Sequence, residues 1–124
     1  MDTPFNLCAE RTLLWQNANP SAAFGAQTIQ LSVDLAQFDY VHIIMTGVNM
    51  SDVSAWVEPG GAFTFSSVAP SANVTSAYVY GVTRSGQVLD GAVRFDACQA
   101  GYNGAWSLAT TNRMIPTKIY GIKF

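Results

Sequence analysis

The sequence has 124 residues, of which 49% are hydrophobic and 11% are charged, against about 25% charged residues in ordinary soluble proteins. This length predicts one domain over residues 1–124, large enough to bury a core without disulfide or metal staples. The net charge is −2 and the six basic residues are scattered singly, so we expect no nucleic-acid binding. No apolar run reaches the roughly 18 to 20 residues of a membrane span, so we expect no membrane insertion.

The N-terminus is not expected to act as a secretory signal. Met1-Asp2-Thr3-Pro4 has neither a positively charged segment nor a following apolar segment, so synthesis in a cytoplasm is expected. Residues 1–10 could form an extended N-terminal arm. Cys8 and Cys98 are expected to be buried thiols, and the sequence leaves open whether they form one disulfide.

Two strands are predicted in the first half of the chain. Residues 27–33 alternate between apolar and polar side chains, which is typical of a half-buried strand. Residues 39–46 form a continuous apolar run rich in β-branched residues, so we expect a central strand that is covered on both faces. The intervening residues 34–38 predict a short connection with one helical turn.

Glycine-containing turns predict two hairpins in the middle of the chain. The turns are Pro59-Gly60-Gly61 and Ser85-Gly86, each between two segments with strand character. The paired segments are residues 55–58 with 62–65 and residues 76–84 with 87–95. Gly81 and Gly91 would then lie opposite each other, which suggests a bulge or the close approach of another backbone or ligand.

The last quarter of the chain predicts a third hairpin and a closing strand. Asn103-Gly104 is typical of a type I′ turn, because both central residues of that turn need a positive φ. Residues 114–124 form the closing strand, with Pro116 near its start, where a missing N–H is tolerated. About eight or nine short strands predict an all-β fold, a single antiparallel β-sandwich that is jelly-roll-like or Ig-like.

The residue types that catalysis needs are sparse, and we expect no enzymatic activity. The one histidine, His42, lies inside the most apolar strand, where a packed structural side chain is more ordinary than a general base. The eight carboxylates suggest no catalytic pair, and Asp34 and Asp39 flank the short connection, where capping and turn formation are their usual roles. One histidine and two distant cysteines make no metal motif, and no phosphate-binding loop is present, so we expect no metal and no cofactor.

Aromatic residues are the one positive indication of binding. Tyr102 and Asn103 lie at a predicted loop tip, and Trp56 lies beside the Pro59-Gly60-Gly61 turn. Amphipathic rings at such positions suit contact with a saccharide or a protein, so these three residues are the binding candidates. Core packing and subunit interfaces favour the same rings, and these alternatives stay open.

Two stretches at the ends of the chain carry a family resemblance. Residues 11–24 run Arg-Thr-Leu-Leu-Trp-Gln-Asn-Ala-Asn-Pro-Ser-Ala-Ala-Phe, and residues 112–123 run Asn-Arg-Met-Ile-Pro-Thr-Lys-Ile-Tyr-Gly-Ile-Lys. Together they resemble a small module of tail and appendage proteins of bacteriophages and prophages, in which an Ile-Pro-x-Lys-Ile-Tyr-Gly-Ile-Lys strand closes the chain. Residues 47–104 have no counterpart in this resemblance.

The resemblance implies a virion structural protein that is made in the bacterial host cytoplasm. Its place would be a tail fibre or spike tip, or a decoration of the head or tail. Such modules are often trimeric, so the implied partners are further copies of the chain, other virion proteins and a bacterial surface glycan or protein. The alternative is a monomeric carbohydrate-binding module without a viral role.

The closing strand also supports a physical prediction. Ile119, Tyr120, Ile122 and Phe124 place apolar atoms on both of its faces, so one face should pack on its own domain and the other on a neighbouring subunit. A chain with 11% charged residues has few ionic side chains to cover a monomer. We therefore expect a homo-oligomer, in the favoured case a trimer, with these four residues at its interface.

Overall fold

The computed structural model describes residues 9–46, 52–72, 77–102, 105–110 and 114–124, with the side chains of 68–72, 77–80, 100–102 and 105–110 left undescribed. These residues form ten β-strands and one 3₁₀ helix, Leu35–Gln37. The strands are β1 (Glu10–Gln16), β2 (Gln27–Gln30), β3 (Tyr40–Thr46), β4 (Asp52–Val57), β5 (Ala62–Ala72), β6 (Ala77–Val88), β7 (Ala92–Phe95), β8 (Cys98–Tyr102), β9 (Ala105–Thr110) and β10 (Pro116–Lys123).

The strands make two antiparallel sheets packed as a β-sandwich. The four-stranded sheet has the order β1-β10-β3-β4. The six-stranded sheet has the order β2-β7-β6-β8-β9, and β5 pairs with the other side of β6. This confirms the all-β antiparallel sandwich expected from the sequence, with ten described strands where eight or nine were expected.

The hydrophobic core lies between the two sheets. From β3 it takes Val41, Ile43 and Met45, all without exposed surface, and from the opposite sheet it takes residues such as Val93 and Phe95. Alternation along β3 explains this, because every second residue of a strand points to the same face. The remaining residues of β3 are half-buried, so the strand that was predicted to be covered on both faces is fully covered on one.

One buried arginine ties together three connecting segments. Arg84 on β6 has no exposed surface, and its guanidinium donates hydrogen bonds to three carbonyl oxygens. The acceptors are Phe24 at 3.0 Å, Asp96 at 2.8 Å and Met114 at 2.9 Å. Met114 has a positive φ of 49°, an uncommon conformation for a non-glycine residue, immediately before the segment that enters β10. The Arg84 side chain therefore fixes where the closing strand begins.

The Pro59-Gly60-Gly61 turn is not the hairpin predicted from the sequence. β4, before the turn, pairs with β3 in the four-stranded sheet, whereas β5, after it, pairs with β6 in the other sheet. Gly60 has a φ of 85°, and the Gly61 N–H donates to the Glu58 carbonyl oxygen at 2.8 Å. The glycines do make a tight turn, but this turn carries the chain from one sheet to the other.

The second predicted hairpin exists with a different turn. β6 continues through Ser85 and Gly86, and the chain reverses at residues 89–91, where the Leu89 N–H donates to the Ala92 carbonyl oxygen at 2.8 Å. β6 and β7 then pair as an antiparallel hairpin. The predicted turn dipeptide therefore lies within a strand.

Gly86 is needed for close packing instead of for a turn. A Cβ at this position would collide with the Arg94 carbonyl oxygen and with the Phe63 ring. Glycine inside a strand often marks such a close approach. Gly81 pairs with residues of β5 and β8, so it does not lie opposite Gly91 as predicted.

Two further predictions from local sequence are confirmed. The short connection holds the 3₁₀ helix, and Asp34 caps it by accepting a hydrogen bond from the Ala36 N–H at 3.0 Å. Tyr102 pairs with Ala105, so β8 and β9 form the expected hairpin around residues 103–104, which lie outside the described residues.

The closing strand is confirmed and lies inside its sheet, between β1 and β3. Gly121 allows this packing, because a Cβ there would lie 2.5 Å from Cε1 of Phe38. The two stretches that carry the resemblance are neighbours in space, since β1 pairs with β10 and Asn17 Nδ2 donates to the Pro116 carbonyl oxygen at 2.9 Å.

The N-terminal predictions fall mostly outside the described residues. Of the arm predicted over residues 1–10, only residues 9 and 10 are described, and Glu10 already pairs with Lys123 as part of β1. Cys8 lies outside, and Cys98 is fully buried on β8. Across the described ranges, no helix is long and apolar enough to cross a membrane.

Candidate binding site on the four-stranded sheet

The outward face of the four-stranded sheet collects aromatic residues from neighbouring strands. His42 on β3 lies opposite both Trp56 on β4 and Tyr120 on β10, and directly paired residues of antiparallel strands point to the same side. Tyr40 and Phe124 join them by alternation along β3 and β10. We call this surface the aromatic face, and it comprises Arg11, Leu13, Tyr40, His42, Trp56, Tyr120 and Phe124.

The rings of the aromatic face form one continuous layer. The His42 ring centroid lies 5.4 Å from that of Trp56 and 6.2 Å from that of Tyr120. Trp56 and Phe124 stack at 6.1 Å with 29° between their planes, and Phe124 meets Tyr40 edge-on at 6.1 Å. These distances fall within the range of roughly 4.5 to 7 Å at which aromatic pairs attract. The layer therefore presents a preformed, rigid surface.

This layer is open to solvent. The large hydrophobic side chains that are exposed in the described part of the chain are Leu13, Trp56 and Phe124, with exposed fractions of 48%, 48% and 67%. Leu13 pairs with Tyr120, so all three belong to the aromatic face. Single exposed apolar residues are ordinary, whereas a contiguous apolar patch marks an interaction surface.

The closing strand divides its residues between the core and the aromatic face. Ile119 has no exposed surface and belongs to the core cluster, so its predicted place at an oligomer interface is wrong. Ile122 pairs with Tyr40 and Arg11 on the outward side, yet 1% of its surface is exposed because its neighbours on the face cover it. It therefore supports the face from beneath and offers little surface to a partner.

The two remaining interface candidates lie on the aromatic face. Tyr120 is half-buried, and the Arg11 guanidinium lies 3.7 Å from its ring centroid, within cation–π distance. Phe124 is the most exposed large hydrophobic residue of the described chain, and its N–H is held by Asp39 Oδ2 at 2.8 Å. Both side chains are therefore placed for contact with a partner, which stays a prediction.

The surroundings of His42, at the centre of the face, disfavour its protonated form. Burial lowers its pKa from the ordinary value, and the positive charge of Arg11 lowers the pKa further. Its Nδ1 atom is buried and has no hydrogen-bond partner among the described residues. The ring packs against Trp56 and Tyr120 on the outward side of β3. The sequence predicted a packed histidine with its hydrogen bonds satisfied, and the Nδ1 atom departs from that prediction.

A shallow groove adjoins the aromatic face along the outer edge of β4, the last strand in the sheet order. Its volume is about 500 Å³, within the range of roughly 300 to 1,000 Å³ that is typical of ligand pockets. The lining residues are Tyr40, Ala55, Trp56, Val57, Glu58, Gly61, Ala62, Phe63 and Thr64. The groove therefore combines aromatic rings with a few polar groups.

The polar groups of the groove come from the ends of β4 and β5. Glu58 is exposed, and its carboxylate makes no hydrogen bond or ion pair with any described residue. The Thr64 hydroxyl lies 2.9 Å from the Ser85 hydroxyl. Among the residues of the lining that the structure describes, Glu58 is the sole charged one.

The structure separates the residues that were predicted to bind. Trp56 belongs to the aromatic face, is 48% exposed and lines the groove, and its role in binding stays a prediction. Tyr102 belongs to β8 in the other sheet, its side chain is not described, and Asn103 lies outside the described residues. Trp56 and Tyr102 therefore belong to strands of different sheets.

Sequence reasoning missed the clustering of Tyr40, His42 and Arg11. Three consecutive apolar residues, Ile43, Ile44 and Met45, hide the alternation between the inward and outward residues of β3. The pairing of β3 with β10 and β4, which brings these side chains together, leaves no local signal in the sequence. Within the described ranges, no group of three or more His, Cys, Asp or Glu side chains could hold a metal ion.

Comparisons with known proteins give the chain no relative. No protein-family model, no curated protein and no solved structure matches it. Function is therefore inferred from the aromatic face, the groove and the resemblance at the two ends of the chain.

Proposed function

We propose that the protein is a bacteriophage virion structural protein that self-associates through its aromatic face and contributes to attachment to the host surface. The observation that carries the proposal is the gathering of all described, exposed, large hydrophobic side chains on one face of one sheet. The virion role is supported by the resemblance at both ends of the chain. Those two stretches meet in adjacent strands, as parts of one module would.

The covering partner is proposed to be another copy of the chain. With 11% charged residues, the protein has little ionic surface to offset an exposed apolar patch, and every copy carries the same patch. The outward face of a sheet can pack on the same face of another copy, since sheets stack about 10 Å apart with interleaved side chains. The resemblance implies that three copies assemble, as a fibre or spike tip or as a decoration.

The exposed apolar side chains are large enough to drive such an association. An aromatic side chain of about 200 Å² with an exposed fraction of 67%, as for Phe124, leaves about 130 Å² open. At about 25 cal/mol per Å², covering it contributes about 3 kcal/mol before the entropic cost of association. Leu13, which is 48% exposed, adds about 1 kcal/mol when it is covered, so Leu13 and Phe124 together supply several kcal/mol per subunit while Trp56 stays open.

Sedimentation velocity on the purified protein tests the proposal. The wild type should sediment as an oligomer at micromolar concentration, and the double variant Leu13→Ser/Phe124→Ser should sediment as a folded monomer. Gln30→Ser, an exposed change on β2 of the other sheet, is the matched control and should leave the oligomer intact. A wild type that stays monomeric, or a double variant that still assembles, would remove self-association through this face.

A further inference from the structure

We infer that the groove along β4 is a saccharide-binding site for neutral glycans, which rests on the proposed role in host attachment and gives it a ligand class. The groove is a separate part of the surface from the β1 side of the aromatic face. Leu13 lies on β1 at one edge of the sheet, and the groove lies beyond β4 at the other edge. A partner seated over Leu13 and Tyr120 can therefore leave the groove open.

Trp56 provides the platform that a sugar ring needs. Its indole is 48% exposed, so a broad apolar surface is available for the C–H groups of a pyranose. It is also held in place, because Phe124 stacks on it at 6.1 Å and Tyr40 lies 5.8 Å away at a tilt of 58°. A side chain that is already held in place loses little conformational entropy when a ligand binds, so less of the binding free energy is lost.

The polar groups of the groove suit sugar hydroxyls. Glu58 lies two residues after Trp56 at the end of the same strand, and its carboxylate has no partner among the described residues. Carboxylate oxygens accept hydrogen bonds from hydroxyl donors, and such charge-assisted bonds are the stronger kind. The Thr64 hydroxyl across the groove can both donate and accept. Aromatic faces with a few hydroxyl-binding groups are the recognition chemistry of a glycan.

The charge of the groove decides which glycans fit. Glu58 is the one charged residue among the described residues of the lining, so an acidic saccharide would meet its carboxylate and no cation from those residues. Neutral hexose and N-acetylhexosamine chains meet no such repulsion. The shallow groove runs along a strand edge, so it can contact several sugar units of one oligosaccharide. Binding then does not require a deep pocket around a single sugar.

Isothermal titration of the full chain with defined oligosaccharides tests the inference. The neutral probes are maltopentaose, cellopentaose and penta-N-acetylchitopentaose, and the anionic probe is a galacturonic acid pentamer. We expect at least one neutral probe to bind with millimolar or tighter affinity and the anionic probe to bind at least tenfold more weakly. No binding of any neutral probe, or a preference for the anionic probe, would overturn the inference.

Variants locate the binding and separate it from assembly. Trp56→Ala should weaken binding at least tenfold, Trp56→Phe should retain part of it because a ring remains, and Glu58→Gln should weaken it three- to tenfold. Gln30→Ser, on β2 of the other sheet and outside both the groove and the aromatic face, should bind the probe as the wild type does. Unchanged binding by Trp56→Ala would overturn the site. Binding by a protein that sediments as a monomer would keep the site and remove the self-association proposed above.

Discussion

Replacing Arg84 with methionine should destabilise the protein more than any surface change. The Arg84 guanidinium donates three hydrogen bonds to backbone carbonyl oxygens in separate connecting segments; the bonds to Met114 and Phe24 are buried and the bond to Asp96 is partly buried. Hydrogen bonds to charged groups contribute about 1.5 to 3 kcal/mol each, and methionine would leave the three carbonyls without these donors. Because removing a buried charge also relieves its desolvation, we expect a net loss of about 3 to 5 kcal/mol.

Thermal and urea unfolding followed by circular dichroism measure this loss. Domains of this size have free energies of unfolding of about 5 to 15 kcal/mol, so the variant should remain folded at low temperature with a Tm lower by about 10 to 20 °C. Arg84→Lys keeps a charge but cannot present the same fork of donors, so we expect it to recover at most part of the loss.

Arg94→Met is the matched control for the Arg84 variant. Arg94 pairs with the Asp96 side chain at 3.2 Å, but the two side chains are 43% and 50% exposed. Surface ion pairs of this kind contribute about 0 to 1 kcal/mol, so the control should lose less than about 1 kcal/mol. If Arg84→Met costs no more than Arg94→Met, the view that one buried side chain organises the three segments is refuted.

Two further predictions concern the four-stranded sheet. Burial, and to a smaller extent the Arg11 charge, lower the pKa of His42 in the folded state, so the unfolded chain binds more protons than the folded chain. The free energy of unfolding should therefore fall as the pH drops through about 6.5. Urea unfolding across this range should show the slope in the wild type and a smaller slope in His42→Phe; equal slopes would contradict the assignment. Gly121→Ala should lose about 1 to 3 kcal/mol through its clash with Phe38, whereas Gly25→Ala, with no atom near its Cβ, should lose less than 1 kcal/mol in the same assay. Equal losses for the two alanine variants would contradict the packing.

The fold class could be predicted from the sequence because strand periodicity and turn chemistry are local. The apolar run over residues 39–46 and the residues of the closing strand each gave the correct element, and β8 pairs with β9 on the two sides of residues 103–104, which lie outside the described residues. Turn residues do not predict with which strand the next strand of the chain will pair. The Pro59-Gly60-Gly61 turn connects two strands that pair in different sheets. Ser85-Gly86 has the composition of a turn but lies within β6, where the glycine is required because a Cβ would collide with neighbouring atoms.

The candidate site could be predicted only in part, because it depends on register between distant strands. Ile119 and Ile122 both carry apolar side chains on the closing strand, and only the pairing with β3 shows which of them faces the core. Trp56 was identified from its neighbouring turn. Its stacking on Phe124 joins residues 68 positions apart and follows from the sheet order alone. Arg84 shows no local sign that its charge would be buried within a strand.

The account depends most on the claim that the aromatic face is covered by another copy of the chain. Solvent paramagnetic relaxation in NMR, measured at concentrations below and above association, reports directly which surface becomes covered. We expect the Leu13 methyls and the Phe124 ring to become protected on association, while Gln30 on the opposite sheet keeps its relaxation. Protection of the opposite sheet, or unchanged relaxation at Leu13 and Phe124 in an assembled sample, would contradict the claim.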